Sequence, residues 1–430
     1  MKKYASFLRF VGFLAVFAEI LVTMLVGGCI VDDTVEEADG TEADTDSGKS
    51  AVATDDVQTD DTGAEDTVSD MDTEDTSTEV PLSAVIPFQI SNVDMSSMVW
   101  KEPGELNFKG SSCEHHASIN TDSCDIDCIS SSSVQCWIMT QPDRSEVAII
   151  YAKAISVAKN IKVTLEGQRP LILISQSSIF VDGKVEGSDS VSNGRGTLGG
   201  FSVDVGGPGK GERPLEDGGT GGGAYCGTGG DGGRLDDEYP GGTGGAPYGN
   251  AEIIPLQGGS SGGSQGLWKG GAGGGAIQLV AKETIEIGPI GFISLPGRGG
   301  DIEGQGGGSG GAVLLEAPSI AVKGSIAVNG GGGGGGKNRG GYTGGPNDSP
   351  APGGVEDRMP KGGDGSAGKG IDGLAGENHD KETHSSASVA GGGGGGAGWI
   401  RLNTTTGEAK IEGIVSPSLE TSCASIGTLK

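Results

Sequence analysis

The sequence predicts an all-β fold: a parallel β-helix or β-solenoid with long glycine-rich loop insertions, preceded by a disordered acidic linker. Three observations predict it. Glycine supplies 86 of the 430 residues, all but six of them after residue 80, and each interior glycine costs a helix about 1 kcal/mol relative to alanine. Short segments of alternating apolar residues recur with single-glycine corners between them, which is the period of strands with one buried face. Residues 31–80 carry 19 Asp and Glu against Lys49 alone, with no aromatic residue. Such a segment has too little apolar surface to offset the entropy of ordering it.

The amino terminus sets the first boundary. Lys2, Lys3 and Arg9 precede an apolar run from Phe10 to Val26, the charged-then-apolar layout of an export signal. The run ends Leu25-Val26-Gly27-Gly28-Cys29, which resembles a lipobox, the motif that closes bacterial lipoprotein signal peptides. The resemblance implies a signal peptide over 1–28, a diacylglyceryl group on the sulfur of Cys29, and a membrane partner engaged through that lipid. Ile30 and Val31 stand where an aspartate would retain a lipoprotein in the inner membrane. The resemblance therefore implies the bacterial outer membrane, with the protein facing the periplasm or the cell exterior. A transmembrane anchor is the alternative, because 17 residues lie near the lower limit for a span. Glu19 within the run is tolerated better by a transient signal than by a permanent span, where a carboxylate costs several kcal/mol.

Residues 29–83 follow as an acidic tether that like-charge repulsion should extend. The formal charge of -29 is mostly local to it: 31–80 contributes -18 (19 acidic residues less one lysine), leaving -11 elsewhere. No stripe of Lys and Arg appears, so nucleic acid is not an expected partner.

From residue 84 the composition changes, with Trp100, Phe108 and Trp137 appearing. We read 84–146 as a Cys-rich N-terminal cap and 147–430 as a glycine-rich solenoid domain. Four copies of one unit lie in the latter: Pro170–Ser175 with Ile179–Val185, Gly275–Ala281 with Ile285–Ile287, Gly311–Ala317 with Ile320–Ile326, and Gly398–Leu402 with Ala409–Gly413. Val147–Gly167 reads as an earlier coil. One copy of about 20 residues cannot close a core, so stacking is the economical arrangement. It predicts that Leu173, Leu279, Leu315 and Leu402 share one inward position. The glycine-rich stretches at about 187–274, 297–310 and 330–397 are expected as loops projecting from one side. Deleting 340–385 should then cost little. A β-sandwich carrying the same loops is the alternative fold.

Lipobox, acidic tether and strand-glycine-strand units together resemble a loose group of glycine-rich surface lipoproteins of Gram-negative bacteria, over most of 145–430. The resemblance implies an envelope or cell-surface protein with a structural, adhesion or scaffold role and implies no reaction and no cofactor. Two alternatives remain open: a carbohydrate-active β-helix enzyme, and a polysaccharide-binding module. Lys162, Glu166, Arg169, Lys184 and Glu186 are the acid and base candidates for the first, set against ordinary solvated strand positions. Tyr225, Tyr239, Tyr248 and Trp268 are the stacking candidates for the second, with cell-surface polysaccharide or matrix as the partner.

Setting Cys29 aside leaves Cys113, Cys124, Cys128, Cys136, Cys226 and Cys423, an even number that suggests three disulfides in an oxidising compartment. Clustering suggests two bridges among the first four and one joining Cys226 to Cys423. Zinc held by Cys113, His115, His116, Cys124 and Cys128 is the competing reading, though the spacing fits no standard finger. Gly363–Lys369 matches most of a phosphate-binding loop, but Gly370 replaces its Ser or Thr and no strand leads into it. His379 and His384 lie in low-complexity sequence with no nucleophile in view.

Overall fold

In the computed structural model, residues 80–129, 134–187, 198–236, 239–380, 384 and 389–430 are described. The export signal, Cys29 and nearly all of the acidic tether lie outside the described residues.

The described chain is nearly all β, and apart from a two-stranded antiparallel pair, Val80–Pro81 with Val99–Trp100, its strands form three large sheets in which every pairing but one is parallel. The first six-stranded sheet stacks Leu106–Phe108, Ile155–Val157, Ser178–Val181, Thr284–Ile287, Ser319–Val322 and Lys410–Ile411. The second stacks His116–Asn120, Lys162–Glu166, Lys184–Gly187, Phe292–Ser294, Ser325–Ala327 and Ile414–Ser416. The third has seven strands: Gln135–Thr140, Glu146–Ala152, Leu171–Ser175, Ala276–Ala281, Ala312–Glu316, Trp399–Thr404 and Ala424–Thr428. The chain visits the sheets in rotation, so each circuit lays one strand on each. The antiparallel exception is the hairpin of Gln135–Thr140 with Glu146–Ala152. The ladders begin inside the segment expected as a cap, because Leu106–Phe108 and His116–Asn120 already pair in parallel with Ile155–Val157 and Lys162–Glu166.

Register explains why these sequences form these strands. Ile150, Leu173, Leu279, Leu315, Leu402 and Ile426 are successive partners across the seven-stranded sheet. Leu173, Leu279, Leu315 and Leu402 are at most 6% exposed, so the expected inward column is present. Ile155, Ile179, Ile285 and Ile320 form the equivalent column of the first sheet, and Val163, Val185, Ile293 and Ile326 that of the second. Each such side chain contributes roughly 1.5–3 kcal/mol by leaving water, and all three columns meet in one core.

The seven-stranded sheet is covered on its outer face too. Leu82, Ile86, Ile90, Val93 and Met95 pack onto Ile149, Tyr151, Ile172, Ile174 and Leu314, which is why strands such as Leu171–Ser175 read as unbroken apolar runs. A polar latch fixes this cover. The buried Glu316 carboxylate accepts hydrogen bonds from the Ser91 amide and hydroxyl and from the Gln278 and Asn403 amides, at 2.7–3.1 Å. Burial pushes the Glu316 carboxyl up from the ordinary range, against those four donors.

The glycine-rich stretches depart from expectation: they are a hydrogen-bonded, buried layer and not loose loops. All three leave the ladders at the same corner, between the second sheet and the seven-stranded one, so they lie side by side. Consecutive amides in one stretch bond to three different neighbours in rotation. Gly219 and Gly222 donate to Gly233 and Gly230, Thr220 and Gly223 to Gly304 and Gly307, and Gly221 and Ala224 to Glu212 and Gly209, all at 2.8–2.9 Å. The stretch 391–398 repeats the pattern toward 371–377, 328–334 and 220–223 at 2.8–3.0 Å. A repeat of three is that of a polyproline-II helix, which has no internal hydrogen bonds and satisfies its backbone laterally.

Glycine is required by the distance between segments. A Cβ on Gly222 would overlap the Gly394 carbonyl, and one on Gly394 the Asp364 carbonyl. Rigid backbone lies on the other side of each clash, as at the axis of a collagen triple helix. The expectation that 340–385 can be removed cheaply is therefore overturned. Gly354, Gly363 and Leu374 in that segment pair with Gly333, Gly392 and Gly394, so its loss would strip neighbours from the centre of the layer.

Candidate functional site

The segments of the glycine layer turn back at the edge farthest along the chain from the strands. Those turns carry the side chains that the interior cannot hold. Leu215 and Leu267 are 91% and 93% exposed, and Trp268 and Val355 are also exposed. Hydrogen bonds link neighbouring turns: Gln265 Nε2 donates to the Glu216 carbonyl, the Glu303 amide to the Lys337 carbonyl, and the Asn338 amide to Glu356. The edge is thus one continuous surface.

A cleft of about 310 Å³ lies in it, lined chiefly by Arg213, Asp217, Gln265, Leu267, Trp268 and Glu303. Its geometry is held from beneath. Gln305, only 1% exposed, accepts from the Gln265 amide at 2.6 Å and donates to the Glu303 carbonyl at 2.8 Å. The tight turn over Gln265–Trp268 places Gly266 at φ +65°, and the Trp268 amide closes it on the Gln265 carbonyl. The indole Nε1 of Trp268 donates to Glu303 Oε2 at 2.8 Å. That bond fixes the polar edge of the ring and leaves part of the side chain open to the solvent. Gln265 Oε1 is buried and without a hydrogen-bond partner, and no partner occupies the Arg213 or Asp217 side chain among the described residues.

Of the four stacking candidates, only Trp268 is an exposed platform. Tyr225 is 1% exposed and lies 4.6 Å from Tyr248, centroid to centroid, with hydroxyls donating to Gln257 and Gly258 carbonyls. Burial pushes both phenols well above their usual range. Tyr239 is half-buried in a short bridge with Asp236. The sequence does not mark this distinction, because Tyr225 and Tyr248 both sit in glycine-rich stretches with no apolar period.

The acid and base candidates do not converge. Lys162 pairs with Glu186 across adjacent strands, and Lys184 lies over the Phe292 ring at 5.6 Å. Arg169 reaches Glu146 at 2.8 Å and Asp122 at 3.2 Å at the wall of a separate open cleft of about 1220 Å³. Glu166 contributes its backbone carbonyl to Thr121. Exposed ladder pairs of this kind contribute roughly 0–1 kcal/mol each.

Among the described residues two disulfides are present, Cys124–Cys136 and Cys226–Cys423. The second is the long-range bridge expected from sequence. Cys113 and Cys128 are free thiols, which corrects the expectation of three bridges. Cys128 Sγ donates to the His116 carbonyl at 3.1 Å, with the Cys113 thiol beside it. Cys124 is committed to Cys136, which takes it out of the five-residue zinc set, and among the described residues no group of three or more His, Cys, Asp or Glu is placed to hold a metal ion. In the phosphate-loop lookalike, the Gly363 and Gly365 amides bond to Gly392 and Ala351 carbonyls and Lys369 pairs with Glu420, so its donors serve the glycine layer. His384 Nδ1 accepts from the Asp380 amide, and both ring nitrogens of His379 are buried without a partner.

No protein-family model, curated protein or solved structure matches the chain.

Proposed function

We propose that this chain is an exported, lipid-anchored envelope protein of the bacterial outer membrane, with a scaffold or adhesion role. In this reading a right-handed β-solenoid is the stem, the glycine layer is a stiff platform beside it, and the acidic tether holds both clear of the headgroups. The observation that carries the reading is the Cys226–Cys423 bridge, which joins the glycine layer to the last strand of the seven-stranded sheet across a separation of 197 residues. Such cross-links persist in oxidising compartments and are rare in the cytosol. The layer also puts Leu215, Leu267, Trp268 and Val355 outward at the turns, as a display surface requires.

Lipid on Cys29 supplies the anchor, since two acyl chains hold a protein stably at a membrane. Cys29→Ala should move the protein from the detergent phase to the aqueous phase in phase partitioning of whole cells. Unchanged membrane retention of that variant would contradict lipid anchoring and restore a transmembrane span over Phe10–Val26.

A further inference from the structure

We infer that the Trp268 cleft is a binding site for a neutral pyranose unit of a polysaccharide. The inference rests on the display reading only for the accessibility of this edge.

Sugars present two kinds of surface, and the cleft meets both. The apolar C–H face of a pyranose packs on an aromatic ring that is rigid and open on one side. Trp268 provides such a ring, held at its polar edge by Glu303, with exposed Leu267 extending the apolar floor. Sugar hydroxyls are paired donors and acceptors along the ring rim, best met by planar side chains with two polar atoms each. Asp217, Gln265, Glu303 and Arg213 line the same cleft. The Gln265 side chain is itself held, its Nε2 donating to the Glu216 carbonyl at 2.8 Å, so this part of the polar lining is fixed before a ligand arrives.

Size and charge narrow the class. About 310 Å³ lies at the lower limit of small-molecule sites, roughly 300–1,000 Å³, so the cleft takes a single ring with its chain continuing along the edge. Two carboxylates against one guanidinium give a net negative lining, which opposes uronic or sulfated sugars by like-charge repulsion. Because Gln305 and the glycine turns fix the lining beforehand, little ordering cost falls on binding.

The test is calorimetric titration of the full chain, solubilised in detergent, with cellopentaose, maltopentaose and chitopentaose as neutral probes and polygalacturonate as the anionic one. At least one neutral probe should bind saturably. Trp268→Ala should weaken that binding at least about tenfold, the equivalent of about 1.4 kcal/mol. Trp268→Phe keeps a ring but loses the bond to Glu303, so it should fall between the two. Asp217→Asn should weaken the same probe without loss of fold, checked by circular dichroism. Failure of all three neutral probes to bind, preferential binding of polygalacturonate, or equal affinity in Trp268→Ala would overturn the assignment. Membrane partitioning of Cys29→Ala is read separately, so a wrong anchor and a wrong ligand give different results.

Discussion

Cys113 and Cys128 sit side by side where the ladders begin, and their environment decides how they behave. Burial first, and the Cys113 thiol second, push the Cys128 thiol up to about 11 from an ordinary 9.0. A thiol whose native value is raised stays neutral through physiological pH. Its contribution to stability is complete below the unfolded value near 9.0 and is lost as pH rises toward 11. The thiolate is the nucleophile, so alkylation of Cys128 by iodoacetamide in the native protein should be slow at pH 8 and accelerate between pH 9 and 11. Peptide mass mapping would follow it, and labelling at pH 8 as fast as a free peptide cysteine would contradict this environment. Sequence predicted the Cys226–Cys423 pair because those two stand apart from the cluster. It left the pairing of the other four open, since twelve or fewer intervening residues separate neighbours and only backbone geometry selects Cys124 with Cys136.

At the scale of elements, the strands were legible and the glycine segments were not, for one physical reason. Strands announce themselves through side chains: the period of two in Ile285–Ile287 or Ser319–Val322 marks the buried face. The glycine segments bury backbone against backbone, so no apolar periodicity marks them. Their signal is the coincidence of uninterrupted glycine, alanine and serine with carbonyls close by on several sides. The positions of Gly222 and Gly110 separate this from general glycine flexibility. A Cβ at Gly222 meets the Gly394 backbone, whereas one at Gly110 meets nothing within 4 Å. Overpacking costs typically about 1–3 kcal/mol, so Gly222→Ala should lower stability in urea denaturation by at least that much. Gly110→Ala, at the first residue of the short helix Gly110–Cys113, should leave stability unchanged or raise it by up to about 1 kcal/mol, the scale of alanine's helix propensity over glycine. Equal effects of the two substitutions would show that the segments are not closely packed. The same lack of an apolar period places Tyr225 and Tyr248 on loops, whereas Tyr225 is buried and Tyr248 half-buried, and it hides the cleft around Trp268, where the turns that carry Arg213 and Asp217, Gln265–Trp268 and Glu303 meet.

For the whole molecule, strands and glycine segments make one arrangement because of where the chain crosses between them. Every excursion starts after a strand of the second sheet and ends at a strand of the seven-stranded sheet, so the stacked strands fix both ends of each glycine stretch. This offsets part of the backbone entropy that glycine loses on ordering. Chain-entropy arguments assign a loop of nearly 200 residues about 5 kcal/mol of stabilisation from the Cys226–Cys423 bridge, which clamps the layer to the carboxy-terminal strand. The display function proposed above depends on the layer being ordered. Amide hydrogen exchange tests that most directly, because it reports opening segment by segment. Amides of Gly221–Gly223, Gly306–Gly308, Gly331–Gly334 and Gly392–Gly396 should be protected to a degree comparable with the Leu315 strand. Exchange of these glycines at the rate of an unstructured chain, while the strands stay protected, would contradict the account and return the glycine-rich stretches to loops.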